Sequence, residues 1–160
     1  MPNKTLLVSR FQAELQRRLD EAHRASAGAR DGTRVDGSHR PANRGERAAV
    51  TSQGYLSLGL SQRAETLQQD LKGLKNLDLS PATTVRPGAW FVIETEEGLR
   101  ERYLILPGGE GIELDPGPPP TLALSPQSPL ARALQDAEVG DGAEVRRGTD
   151  MHEVEVVEIA

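Results

Sequence analysis

Residues 121–159, TLALSPQSPLARALQDAEVGDGAEVRRGTDMHEVEVVEI, read as strand, loop, short helix, turn and hairpin. Thr121 to Leu124 is short and apolar, and the two Ser-Pro pairs after it must leave the sheet, because proline cannot donate to a ladder. Ser128 is placed to cap a helix whose first residue is Pro129, where a missing N–H costs nothing. Leu130 and Leu134, four apart, give that helix one apolar face. Val139-Gly140-Asp141-Gly142 is a turn signal. Met151 to Ile159 alternates, with Val154, Val156 and Ile159 inward and Glu153, Glu155 and Glu158 outward.

At 160 residues the chain is long enough for one domain or two small ones, and 36% hydrophobic content with five aromatics (Phe11, Tyr55, Trp90, Phe91, Tyr103) implies modest cores. No apolar run is long enough to span a membrane, and no charged-then-apolar signal segment opens the chain. The absence of cysteine excludes disulfides and thiolate zinc sites and is compatible with a reducing cytoplasm. His23, His39 and His152 are scattered without metal-ligand spacing and read as solvated surface residues, so no metal site is expected. Charge is uneven. Residues 1–77 hold 13 Lys/Arg against 8 Asp/Glu, and residues 78–160 hold 6 against 16. A basic half joined to an acidic half points to two modules, the first facing phosphate or an acidic channel, or simply presenting an Arg-rich helix surface to water.

Along the chain, Lys4 to Ala29 has helical periodicity: Val8, Phe11, Leu15, Leu19, Ala22 and Ala29 share one face, and the seam thins from Leu to Ala. Residues 28–45 contain five glycines or prolines and almost no apolar side chain besides Val35, so a Gly/Arg-rich loop is expected there. A second helix is expected from between Asn43 and Glu46 to about Asn76, with Leu60, Ala64, Leu67, Leu71 and Leu74 stepping by fours and threes. Gly54 and Gly59 predict a kink or a late start. Two such helices, each roughly 40–48 Å long, make an antiparallel coiled-coil hairpin over 1–77. Residues 78–87 read as a linker stopped by Pro81 and Pro87, and 88–160 as the second domain. In it Ala89–Ile93 is a strand and Glu96-Glu97-Gly98 a turn. Leu99, Tyr103 and Ile105 are expected inward on the return strand against Arg100, Arg102 and Leu104, and Ile112–Leu114 is a short strand. The fold class is α+β: a helical hairpin, then a small antiparallel sheet of about five strands with one short helix.

The succession Ser128-Pro129-Leu130-Ala131, Ala133-Leu134 and Val139-Gly140-Asp141 near the end of the chain resembles the C-terminal domain of the Gre family, the bacterial transcript-cleavage factors GreA and GreB. A helical hairpin before such a domain is also that family's architecture, with an FKBP-like C-terminal domain. The segment Pro41 to Arg47 leading into Tyr55-Leu56 is similar to a short-hairpin branch of Gre-like proteins. The resemblance implies binding to bacterial RNA polymerase at its secondary channel, the C-terminal domain docking and the hairpin entering. It implies docking through Ser128, Pro129 and Leu130, residues that serve equally as a helix start and core packing with no partner. It implies no cofactor of the chain's own, only the polymerase-bound magnesium ion, which tip carboxylates help to hold beside the nascent RNA 3′ end.

The tip departs from the family. Gre tips carry an acidic pair before the second helix; here the candidates are Asp31, Asp36 and Glu46, set among Arg30, Arg34, Arg40, Arg44 and Arg47. Arginines compete for carboxylates and repel a divalent cation, so cleavage stimulation is disfavoured relative to polymerase binding. The same five arginines support a second reading, a basic-hairpin module binding RNA or protein, although no aromatic platform accompanies them for base stacking. An independent enzyme, such as a prolyl isomerase of related fold, lacks the aromatic pocket it would need. The expectation is a cytoplasmic transcription elongation regulator that is not itself an enzyme.

Overall fold

The computed structural model describes residues 1–33 and 44–160, with residues 29–33, 46 and 53 described as helical backbone. The chain divides into two compact units: Glu14–Leu71, and Met1–Ala13 together with Lys72–Ala160.

Two helices make the first unit. Helix α1 spans Lys4–Thr33 and α2 spans Arg44–Lys75. In this unit α1 buries Leu15, Leu19, Ala22 and Ser26, and α2 buries Ser57, Ala64 and Leu67. The α1 positions recur every three or four residues and those of α2 step by seven and three, one stripe per helix. Ser26 Oγ lies 3.2 Å from Ser61 Oγ across the seam, and Ser61 Oγ donates to the Ser57 carbonyl at 3.0 Å. On the outer face Arg17 and Arg18 both bind Glu14, and Arg17 also binds Glu21. The two arginines hold the Glu14 carboxyl down at about 2.

α1 continues four residues beyond the point at which its apolar periodicity stops. Ala27, Ala29 and Arg30 are strong helix formers, and Gly28 meets no neighbour within 4 Å, so local propensity extends the helix where packing no longer asks for it. The late start is not found: α2 runs as one helix from Arg44 through Gly54 and Gly59, where a β-carbon would also meet open space.

The second unit is a sheet with a helix across one face. Its strands are β1 (Trp90–Thr95), β2 (Arg100–Ile105), β3 (Glu110–Asp115), β4 (Thr121–Leu124), β5 (Gly142–Arg147) and β6 (Asp150–Ile159); α3 is Pro129–Ala133. The order is β3-β4-β2-β1-β6-β5. The sheet therefore has six strands rather than about five. It is also not wholly antiparallel: β4 slots in parallel beside β2, pairing Arg102 with Thr121 through Ile105 with Leu124, while β3 lies antiparallel on its far side.

Phe91, Ile93, Ile105, Val145, Val154 and Val156 form the core with Val85, Leu130, Ala131 and Leu134. Phe91 and Tyr103 are cross-strand partners with ring centroids 5.7 Å apart. A register shift between Val92 and Ile93 opposite β6 inserts one extra residue, so that Val156 faces Ile93 and Ile159, three residues on, faces Phe91. This keeps both side chains inward, as the alternation predicts for Val154, Val156 and Ile159.

The opposite face is buried too, which corrects the expectation for the second strand. Leu104 is fully buried on that face, with Trp90, Val92 and Ala123, whereas Leu99 is exposed. The first turns of α1 belong to this unit and bury Leu7, Val8 and Phe11. Lys4 Nζ donates to the carbonyls of Ser80 and Ala160 at 2.9 and 3.0 Å, and Arg10 Nη1 to that of Leu114 at 3.0 Å. A sheet covered on both faces shows continuous rather than alternating burial, as Leu104-Ile105-Leu106 does.

Residues 78–87 are tied into the same unit. Val85 is fully buried, its N–H donates to the Ala137 carbonyl and its carbonyl accepts from Asp136 N–H, both at 2.9 Å. Gly88 follows at φ 84°, its N–H donating to Ile105 O, and a Cβ there would lie 2.0 Å from the Asp78 carbonyl oxygen.

Candidate docking face at the Ser128 cap

Ser125 to Pro129 forms a stiff loop whose hydrogen bonds are largely its own. Gln127 N–H donates to Ser125 Oγ at 3.2 Å and Ser128 N–H to the Ser125 carbonyl at 3.0 Å. Ser128 sits at φ −64°, ψ 150°, and its Oγ accepts the Ala131 N–H at 3.1 Å. Pro129 opens α3 as expected. Arg132 Nη2 reaches back to Gln127 Oε1 at 2.5 Å, bracing the loop against the helix.

The residues expected to dock are thus divided between two tasks. Pro129 is exposed, Ser128 is half-buried and engaged as the cap, and Leu130 is 7% exposed within the core. Leu134 is fully buried, in keeping with its reading as core. The outward surface consists of Gln127 and Pro129, beside a cleft of about 190 Å³ lined by Arg86, Pro87, Pro126, Gln127, Gln135 and Asp136. Gln127 was not singled out by sequence. Its position between two Ser-Pro pairs, where a side chain must point out of the turn, was the available signal. Chemically this face offers a fixed proline ring, an amide and a guanidinium, a surface suited to recognition. The Ser128 hydroxyl has no base within hydrogen-bond reach among the described residues.

Only some of the tip candidates fall within the described residues. Arg30 and Asp31 lie on the helical backbone of α1's last turns and Glu46 on that of α2's first turn. Arg44 and Arg47 share that first turn and are exposed. Arg34, Asp36 and Arg40 lie outside the described residues. No group of three or more His, Asp or Glu among the described residues is arranged to hold a metal ion.

One polar cluster was missed by sequence reading. On the face that carries the core, Arg147 of β5 grips Glu101 of β2 with two bonds of 2.7 and 2.6 Å, and Tyr103 Oη donates to the same carboxylate at 2.8 Å. Hydrogen bonding from Arg147, and then from Tyr103, holds the Glu101 carboxyl below its usual range despite partial burial. Burial and the bond to Glu101 push the Tyr103 phenol up to about 12. Glu101 and Tyr103 stand two apart in a strand and so share a face; their partner lies 46 residues away, beyond any local signal.

The chain is similar in structure to GreA factor homolog 1 (Gfh1) of Thermus thermophilus, at 19% identity over 96% of this chain and 92% of that one, with a TM-score of 0.40. Gfh1 of Thermus aquaticus gives 18% identity, 92% coverage of each chain and a TM-score of 0.41. The transcription elongation factor GreA/GreB of Nitrosomonas europaea gives 19% identity over 61% of this chain and 78% of that one, with a TM-score of 0.39. No curated protein sequence matches the chain. A family model described as transcription elongation factor, GreA/GreB, C-terminal, matches residues 80–160, half of the chain and all six strands with the Ser128 cap among them, and by that match this chain belongs to the GreA/GreB family.

Proposed function

We propose that this protein regulates transcription elongation by binding bacterial RNA polymerase at its secondary channel. In this reading the sheet unit docks through the Ser128 loop and the helical hairpin enters the channel. The observation that carries the reading is the family match over residues 80–160, which contains the exposed Gln127 and Pro129 on a capped, self-bonded loop. A loop already ordered before binding loses little conformational entropy on docking, which favours recognition through a small surface.

The protein brings no cofactor of its own and is not itself an enzyme. Any effect on RNA cleavage passes through the polymerase-bound magnesium ion and the nascent RNA 3′ end. The arginines that crowd the tip carboxylates in sequence make it a poor completion of a two-metal site, so the reading favours occupation of the channel over stimulation of cleavage. Its place of action is the cytoplasm, with the polymerase. Among the described residues no helix is long and apolar enough to cross a membrane.

The test is binding of the full chain to core RNA polymerase beside a Ser128→Glu/Pro129→Ala double variant. Binding that falls at least tenfold in the double variant, with circular dichroism unchanged, supports docking through the loop. Equal binding by both proteins removes the loop from the interface. Absence of binding by the wild type removes the polymerase reading and brings forward RNA binding by the basic hairpin, measured by its salt dependence.

A further inference from the structure

The six-stranded sheet ends in two edge strands, β3 and β5, and they are built differently. The β3 edge is irregular: its pairing with β4 shifts register between Glu110 and Glu113 and again between Glu113 and Asp115. Such bulges are a common means by which sheets discourage a further strand. β5 carries no such bulge, and α3 packs against it on the face that buries Val145. It pairs with β6 in unbroken register from Gly142–Glu155 to Arg147–Asp150 and contains no proline. No backbone group of a helix or loop among the described residues bonds to residues 143–147. Its one inward-pointing charge, Arg147, is neutralised by Glu101 and does not guard the edge.

The hairpin geometry tells which residues face outward. Gly148 (φ 63°) and Thr149 form a two-residue turn, so Arg147 and Asp150 close it as a hydrogen-bonded pair. Alternation along an antiparallel ladder then directs the N–H and C=O groups of Glu144 and Arg146 away from β6. The Glu144 and Arg146 side chains are exposed, and neither has an ion-pair partner among the described residues. Between them Val145 is buried and holds the strand in place.

We propose that β5 is a self-association edge that pairs antiparallel with β5 of a second copy of this chain, about a two-fold axis at Val145. In that register Glu144 stands opposite the partner's Arg146 and Arg146 opposite the partner's Glu144, while the outward backbone groups of these residues supply the ladder bonds. The sequence Glu-Val-Arg is self-complementary only in this antiparallel sense, because a parallel addition in register would place like charges side by side. A second copy is thus the occupant whose charges the edge specifies. The proposal does not depend on polymerase binding.

The experiment is sedimentation of the full chain over a range of concentrations, with Glu144→Arg, Arg146→Glu, their equimolar mixture, and Glu144→Pro. Wild type should shift with concentration from 17.3 kDa toward twice that mass. Each charge reversal sets like charges opposite one another and should weaken the dimer about tenfold or more. Mixing the two single variants restores both opposite-charge pairs and should restore the dimer as a heterodimer. Glu144→Pro removes an outward N–H without touching the β5–β6 ladder, and should abolish the dimer while leaving the circular dichroism spectrum unchanged. A wild type that stays monomeric throughout overturns the proposal and leaves the edge to a strand of another protein. A dimer indifferent to the charge reversals and to the proline overturns it equally, by assigning association to another surface.

Discussion

The sheet unit and the hairpin unit are stabilised in opposite styles. In the sheet unit large side chains (Phe91, Ile93, Leu104, Leu106, Leu134, Val154, Val156) are excluded from solvent altogether, gathered from strands and a helix far apart in sequence. In the hairpin the seam is one residue wide and loses bulk along α1, from Leu15 and Leu19 to Ala22 and Ser26, while α2 answers with Leu67, Ala64 and Ser57. Larger apolar groups are present nearby, but Tyr55, Leu56 and Leu58 point outward and are more than half exposed. Burial is thus concentrated in the sheet unit and tapers along α1 in the hairpin.

The largest effect is expected from Phe91→Ala, which should cost about 3–5 kcal/mol by opening the centre of the sheet core. Urea unfolding followed by Trp90 fluorescence measures the cost, and helicity at 222 nm shows whether the hairpin melts in the same transition. A single shared transition would mean that the two units, despite their different interiors, unfold as one.

Next comes the clasp of Arg147 on Glu101. Because these side chains are about one-third exposed, water screens the pair, and Glu101→Gln should cost only about 1 kcal/mol near neutral pH. The sign with pH follows from the depressed carboxyl. The stabilisation is complete above the ordinary value of 4.5 and is lost as pH falls through the lower folded value, so the wild-type advantage should vanish on acidification. At the alkaline end, ultraviolet titration should find Tyr103 ionising at about pH 12 in the folded protein.

Removing the cap by Ser128→Ala should likewise cost the sheet unit ~1 kcal/mol in thermal or urea unfolding, with Ser128→Asp recovering most of it. The smallest effect is expected in the hairpin. Ser26→Ala combined with Ser61→Ala removes both hydroxyls of the seam pair and should change stability by about 0.5 kcal/mol or less. A loss well above that would show the seam to be held by its polar bond, and would narrow the contrast between the two units.

Much of this architecture was legible because it is written locally. Ser128 before Pro129 announces a capped helix, the leucine steps of 60–74 announce a helical seam, and the alternation after Met151 announces a strand. What was not legible depends on distant partners or on a change of phase. Nothing near Thr121 says that it will lie parallel to β2, because the choice between inserting at β2 and adding at β3 is made by packing across the sheet. Leu104 looked outward because alternation assumes one solvated face, and here Trp90, Val92, Leu104 and Ala123 are buried on the second face as well. The proposed site was half legible: its loop could be read as a cap and turn, but the division between exposed Pro129 and buried Leu130 depends on how α3 seats on the core. The tip acids Asp31, Asp36 and Glu46 stand as an expectation from residue type, with Asp36 outside the described residues.

Gly88 carries a consequence of another kind. Its positive φ and the 2.0 Å approach of the Asp78 carbonyl exclude a β-carbon of any sort, whatever hangs from it. Core positions sort substitutions by size and surface positions by charge, but here alanine should be nearly as damaging as tryptophan. In a saturation library the position would appear as a flat wall, with every replacement depleted alike. Its codon is therefore a dead end for divergence, and lineages that vary freely on either side of it would have to pass it on unchanged.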